Sequence, residues 1–326
     1  MSNPQEVRIL SPGTNWLKVG GMLALGLTGY YSPLPEGTFV SLSSAHTGKM
    51  CIQGPVLVDG GRFDMGITTP PWMVKAMNEG KVLVDHPLKL SGMGVFPHED
   101  QFVMAVRKDT GITSIRQIVE EKVPLRIGTA PVGLNHCAGW LLDCILQEYG
   151  TSREEMVAWG AEFVDNNRQP NYKEGIPQGR LDRISAVQQG VLNAVFDEAI
   201  MTKPWEIITD TVEMTFLPID EDVMVALGRK YGAKRGLIPK GRLKGVDRDI
   251  LAVDFSGWLL FCRDDLPDEL VYLTLKGLDE QKKQLEGLFD PYQGLTGSID
   301  LRELWKGTEI PLHPGAERYY KEHGYM

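Results

Sequence analysis

Short apolar runs alternate with amphipathic stretches along most of this chain. Val7–Leu10 reads as a strand, Ser11–Asn15 as a polar turn, and Trp16 to about Tyr31 as a helix carrying several glycines. The cycle repeats: a strand at Thr38–Ser44, a turn at Ala45–Gly48, a helix ending near Gly60-Gly61, a strand at Phe63–Ile67 and a short helix at Met73–Glu79. Lys89–Phe96 and Phe102–Arg107 read as strands, Thr113–Glu121 as a helix, and Leu125–Gly128 as a strand. A helix to Tyr149 has the apolar stripe Ala138, Leu141, Leu142 and Ile145, with Gly150 as its stop. Glu162–Gly179 has no period and reads as a loop, and Leu181, Ile184 and Val187 mark a short helix. Leu192–Phe196 is a strand, Trp205–Thr211 is turn-like or helical, and Met214–Ile219 is a strand placed to cross back to the first half. Asp220–Tyr231 is a helix and Gly232–Val246 a basic, Gly-rich connection. Ile250–Cys262 is a long strand or strand pair, and Asp265–Phe289 is the clearest helix.

Two stretches echo each other. Gly61–Trp72 (GRFDMGITTPPW) and Gly190–Trp205 (GVLNAVFDEAIMTKPW) each run from Gly to Asp or Asn three residues on, then through an apolar run to a Pro-Trp close. Strands alternating with helices predict parallel sheets. A device repeated in each half predicts two α/β lobes, each a mostly parallel sheet flanked by helices, around a ligand cleft. The expected boundaries are 1–98 plus 217–326 for the first lobe and 99–216 for the second.

In open α/β sheets, ligands sit beyond the C-terminal strand ends, at helix N-termini. That rule selects Ser11–Asn15, Ser44–Gly48, Thr68–Trp72, Thr129–His136 and the end of the Phe196 strand. Thr14, Asn15, Ser44, His46, Thr47, Thr69, Asn135 and His136 supply hydroxyl, amide and imidazole contacts. Trp72 and Trp205 are candidates for stacking, or walls of their lobes. Arg168 and Tyr172 fall in the irregular loop, where an Arg can clamp a carboxylate. Asp197 is a further candidate ligand contact, to a cationic or hydroxyl-bearing group. His46, His136, Asp197 and Glu198 are the acid–base candidates if the chain is an enzyme, because imidazole titrates near neutrality. Structural readings stand beside these: a hydrogen-bonded histidine, and an acid that caps a helix or pairs with Lys203. Cys137, in the first turn of its helix, is either a nucleophile or a core thiol.

Composition narrows this. The 326 residues are enough for about two domains. A net charge of −9 argues against a general nucleic-acid-binding or anionic-membrane surface. Four cysteines without a Cys-x-x-Cys pair do not indicate zinc, and Cys137 and Cys144 are too far apart along one helix for a disulfide. No metal or cofactor is expected. The apolar run Met22–Tyr31 is too short to span a bilayer, and no targeting segment is visible. The expected location is therefore cytoplasmic as the sequence stands, or periplasmic if a leader has been removed.

Several segments carry a resemblance: IPLHPGAERYYKEHGY (Ile310–Tyr325), PIDEDVMVAL (Pro218–Leu227), DDLPDELVYLTLKGL (Asp264–Leu278) and AVRKDTGITSIRQI (Ala105–Ile118). With them the chain resembles the TAXI family of solute-binding proteins of TRAP transporters, within the type II periplasmic-binding-protein fold. The resemblance implies two lobes closing on a small carboxylate-bearing solute, and TRAP membrane subunits as partners if the chain is exported. The departures fall on the ligand loops: SPGTNWLKVGG (Ser11–Gly21), SSAHTGK (Ser43–Lys49), PVGLNHCAGW (Pro131–Trp140) and FDEAIMTKPW (Phe196–Trp205). They keep open an alternative, a cytoplasmic decarboxylase or lyase on the same fold.

Overall fold

The structure is a computed structural model. It describes all residues except 1–5, 14, 30–33, 46, 130–135, 166–181, 200–201 and 290–294. In chain order the elements are β1 (Glu6–Pro12), α1 (Asn15–Thr28), β2 (Phe39–Ala45), α2 (Thr47–Asp59), β3 (Met65–Thr68), α3 (Pro71–Asn78), β4 (Leu90–Phe96) and β5 (Gln101–Arg107). There follow α4 (Ile115–Glu120), β6 (Arg126–Thr129), α5 (Cys137–Glu148), α6 (Arg153–Ala158), β7 (Glu162–Asp165), α7 (Arg183–Gln188), β8 (Ala194–Glu198) and α8 (Thr202–Thr211). The rest are β9 (Met214–Leu217), α9 (Glu221–Tyr231), β10 (Arg235–Ile238), β11 (Ile250–Asp254), β12 (Trp258–Arg263), α10 (Asp268–Glu286), α11 (Leu301–Leu304) and α12 (Pro314–Glu322).

The chain divides into two compact units, Met1–Glu99 with Ser256–Met326, and Asp100–Phe255. The first holds a sheet of order β2-β1-β3-β12-β4. β1 pairs parallel to β2 and β3, and β12 runs antiparallel to both β3 and β4, so four of its five strands point one way. The second holds β10-β11-β5-β8-β6-β7 with β9 also on β5. Here β5 and β10 run against the other five strands. Each unit is thus a mostly co-directional sheet flanked by helices, the fold class expected.

The second crossing needs correction. Met214–Ile219 does not return to the first unit: β9 lies antiparallel on β5, from Met104 opposite Leu217 to Arg107 opposite Met214. Arg235–Ile238, read as loop, is a strand, and with β11 it extends the same sheet. Residues 217–255 therefore belong to the second unit. The apolar run Ile250–Cys262 is two strands in different sheets, broken at Phe255-Ser256-Gly257. Gly257 has φ +84°, a left-handed conformation that glycine adopts without strain.

The echo between the halves is a shared piece of construction. Gly61 and Gly190 both sit at positive φ after a helix, at +71° and +70°. Three residues on, the Asp64 carboxylate accepts the Arg8 backbone N–H at 2.8 Å, while Asp64 N–H donates to the Arg8 carbonyl at 2.9 Å. Asn193 does the same to Arg126: its side-chain oxygen accepts Arg126 N–H at 2.7 Å, and its own N–H donates to the Arg126 carbonyl at 3.1 Å. Each pair locks the start of the unit's central strand to the strand beside it. The first copy is also an ion-pair node, since Arg8 and Arg263 both reach the buried Asp64.

The first unit's core gathers β1, β3, β4 and β12 with α1, α10 and α12 through Ile9, Leu23, Ile67, Phe96, Leu260, Leu275 and Tyr320. Burial of such apolar surface contributes roughly 25 cal/mol per Å². The helices meet at bare backbone. A Cβ on Gly26 would lie 3.1 Å from Gly277, and one on Gly315 would lie 2.1 Å from the Asp268 carbonyl, so α12 crosses α10 where only glycine fits. The second core is built around Val103, Val195, Trp205, Phe216, Ile238 and Ile250.

Candidate functional site

At the C-terminal edge of the first sheet, three strands pass almost directly into helices. β1 and β2 end in register, Ser11 opposite Ser44 and Pro12 opposite Ala45. The Gly13 N–H donates to the Ala45 carbonyl at 2.8 Å and ties the two loops together. A Cβ on Gly13 would lie 3.9 Å from Ser44 Oγ. Asn15 opens α1 and Thr47 opens α2. Ser44 is exposed and Asn15 half-buried. β3 ends at Thr68, and a cis Thr69–Pro70 bond leads into α3 with Pro71 at its first position. Thr69 is buried. A proline loses nothing at a helix's first turn, where its missing N–H has no intrahelical partner.

Trp72 is 2% exposed and lies inside the first turn of α3. Of its two expected roles, this burial fits a wall of the unit. Thr14 and His46 lie outside the described residues.

In the second unit, His136 is the N-cap of α5. Its Nδ1 accepts the Ala138 N–H at 3.2 Å, and the residue is buried. The imidazole thus fills one of the orphan donors of the helix start. Cys137, next along, is buried. Cys144 is buried too, and burial pushes its thiol up to about 12. None of the four cysteines forms a disulfide.

The acid pair divides as strand alternation requires. Asp197 is buried and forms an ion pair with Arg183, itself buried at the start of α7, and its Oδ1 accepts the Glu198 N–H at 2.9 Å. The pair with Arg183 replaces the expected pair with Lys203, which reaches Glu206, and it engages the carboxylate that was a candidate base. Glu198 is half-buried, and its carbonyl accepts the Trp205 indole N–H at 3.0 Å. Trp205 is 2% exposed, its ring 5.2 Å from that of Phe216. It is a core side chain, which fits the second of its two expected roles, a wall of its unit. Arg183 was missed because a buried arginine at a helix start has no sequence signature. Asn135, Arg168 and Tyr172 lie outside the described residues. Among the described residues no cluster of three His, Cys, Asp or Glu side chains could hold a metal ion, and no helix is long and apolar enough to cross a membrane.

The chain is similar to several solved structures at low identity. One is a TctC solute-binding protein from Polaromonas (12% identity, 88% of each chain covered, TM-score 0.47). Another is a proposed periplasmic sulfonate-binding protein, SsuA, from Methylobacillus flagellatus KT (12% identity, 99% of this chain and 86% of that one, TM-score 0.43). A third is a Xanthomonas citri protein bound to ATP (9% identity, 98% and 95%, TM-score 0.43). Residues 40–324 match the NMT1-like family, and the chain belongs to that family.

Proposed function

We propose that this protein is a solute receptor. It binds a small organic solute through a carboxylate and hands it to a TRAP-type membrane partner, as the TAXI resemblance implies. The observation that carries the reading is the strand-end edge of the first unit, where β1, β2 and β3 deliver hydroxyl and amide residues to three consecutive helix starts, two of them tied by the Gly13–Ala45 hydrogen bond. Backbone N–H groups at helix starts favour anionic groups. Thr14, Asn15, Ser44, His46, Thr47 and Thr69 are the proposed contacts there, and Asn135, His136, Arg168 and Tyr172 those of the second unit.

Two of the four acid–base candidates are engaged within the fold, which supports binding over turnover. Asp197 is held by Arg183, and His136 Nδ1 caps α5. Neither arrangement leaves a base directed at a substrate. The reading also calls for an exported chain, which fractionation of the native host would show.

A thermal-shift screen of mono- and dicarboxylates, keto acids and amino acids tests the proposal. A true solute at a hundredfold excess over its Kd adds about 2.7 kcal/mol of stability, which is several degrees in Tm. If no carboxylate shifts Tm, or if only neutral or cationic compounds do, the reading fails.

A further inference from the structure

The first unit carries a second feature, which shares only Ser44 with the proposed solute contacts. β2 is an edge strand, hydrogen-bonded only to β1. Its seven residues, FVSLSSA, contain no charge and no proline, and they run in unbroken register with β1. No hydrogen bond joins the outer N–H and C=O groups of Phe39–Ala45 to another described residue. Proteins usually guard such an edge with lysine, proline, a bulge or a covering element. The lack of charge extends beyond the strand. Residues 9–45 hold two charged side chains, Lys18 and Glu36, where the chain's 24% would give about nine, and charge depletion marks the core of a protein interface. Phe39, at the start of the strand, is 64% exposed. Gly20 of α1 comes close enough to Leu42 that a Cβ there would clash with its side chain. The same helix exposes Leu17 and Leu25, two turns apart on one face.

We infer that β2 is a homotypic interface: two copies of this chain pair their β2 edges antiparallel and join two five-stranded sheets into one. A two-fold axis at Leu42 sets Phe39 of one copy opposite Ala45 of the other, Val40 opposite Ser44, and Ser41 opposite Ser43. Phe39 and Val40 thus meet small side chains, Ser41 meets Ser43, and the two Leu42 side chains meet each other at the axis. A second copy also fits the charge. Two chains of −9 repel except where neither carries charge, and this edge is such a place. A lipid surface does not fit, because open N–H and C=O groups are not satisfied in hydrocarbon.

Light scattering behind size exclusion, on the full chain from about 1 to 100 μM, reads the proposal. The wild type runs at twice the chain mass at the upper concentrations. The Phe39→Lys/Ser43→Lys double variant gathers four cations across the paired edges and weakens association at least tenfold, with the far-UV circular dichroism unchanged. Hydrogen exchange adds a readout that needs no variant: amides of Phe39–Ala45 gain protection as concentration rises. A wild type that stays monomeric at 100 μM overturns the inference. So does a dimer that the double variant leaves intact, or a strand whose exchange is independent of concentration. If β2 amides become protected only on adding a membrane fraction or a transporter subunit, the edge belongs to a different partner and the homotypic reading is wrong.

Discussion

Several residues that look reactive in the sequence are structural in the fold. Asp197 and Arg183 form a buried ion pair. Removing one partner of such a pair strands the other charge, so Asp197→Ala should cost about 3–5 kcal/mol, seen as a lowered midpoint in urea. An unchanged midpoint would return Asp197 to the list of available acids. Ser44 behaves in the opposite way. It is exposed at the strand-end edge, so Ser44→Asp should leave the apoprotein's Tm within about a degree while weakening a carboxylate solute at least tenfold (about 1.4 kcal/mol). His313 gives a pH signature. It is buried, its Nδ1 accepts the Gly315 N–H at 3.2 Å, and Asp268 Oδ1 lies 3.9 Å away. Burial holds it below its ordinary 6.5, against the upward pull of Asp268 and Asp264. The fold thus favours the neutral ring. Its contribution is present above pH 6.5 and is lost as pH falls through the lower folded value. The slope of Tm between pH 7.5 and 5 should be shallower in His313→Asn, whose amide oxygen can still cap α12. Equal slopes would contradict this.

At the scale of elements, the C-terminal helix shows how a short motif serves packing. In LHPGAERYY, His313 is the N-cap and Pro314 the first helical residue. Ala316, Tyr319 and Tyr320 are buried, and the Tyr320 hydroxyl donates to the Met93 carbonyl at 2.7 Å. The motif anchors α12 to β4 and α10. Gly315→Ala forces a methyl into the Asp268 carbonyl and should cost about 3 kcal/mol, the upper end for overpacking, measurable by denaturant titration. A cost below 0.5 kcal/mol would mean that the α10–α12 crossing relaxes freely. Elements with a strong period were legible: α5 and α10 fall within a few residues of expectation. β10 was not, because Gly236, Pro239 and Gly241 read as turn signals around four strand residues whose pairing with β11 is a tertiary fact. The 250–262 run hid its break because both strands on either side are apolar and buried.

At the scale of the molecule, the two units repeat one plan. The order β2-β1-β3-β12-β4 is matched by β7-β6-β8-β5 followed by β9 and β11. The Gly-x-x-Asp/Asn lock occupies the same place in each. The repeat was visible in sequence as the Gly61 and Gly190 stretches. Its meaning was not, because hydrogen bonds from Asp64 and Asn193 to strands 56 and 67 residues upstream leave no local trace. The proposed site was half legible. The rule of strand ends selects loops that do follow strand ends in the fold, but it cannot tell an exposed Ser44 from a Trp72 or Trp205 closed into the core.

The account stands on the protein holding a solute without changing it. Isothermal titration with a carboxylate found in the thermal-shift screen, followed by NMR of the same sample after prolonged incubation, measures this directly. One solute per chain and a solute recovered intact is the predicted result. Progressive loss of the solute with appearance of a product, or heat that never saturates, would contradict it.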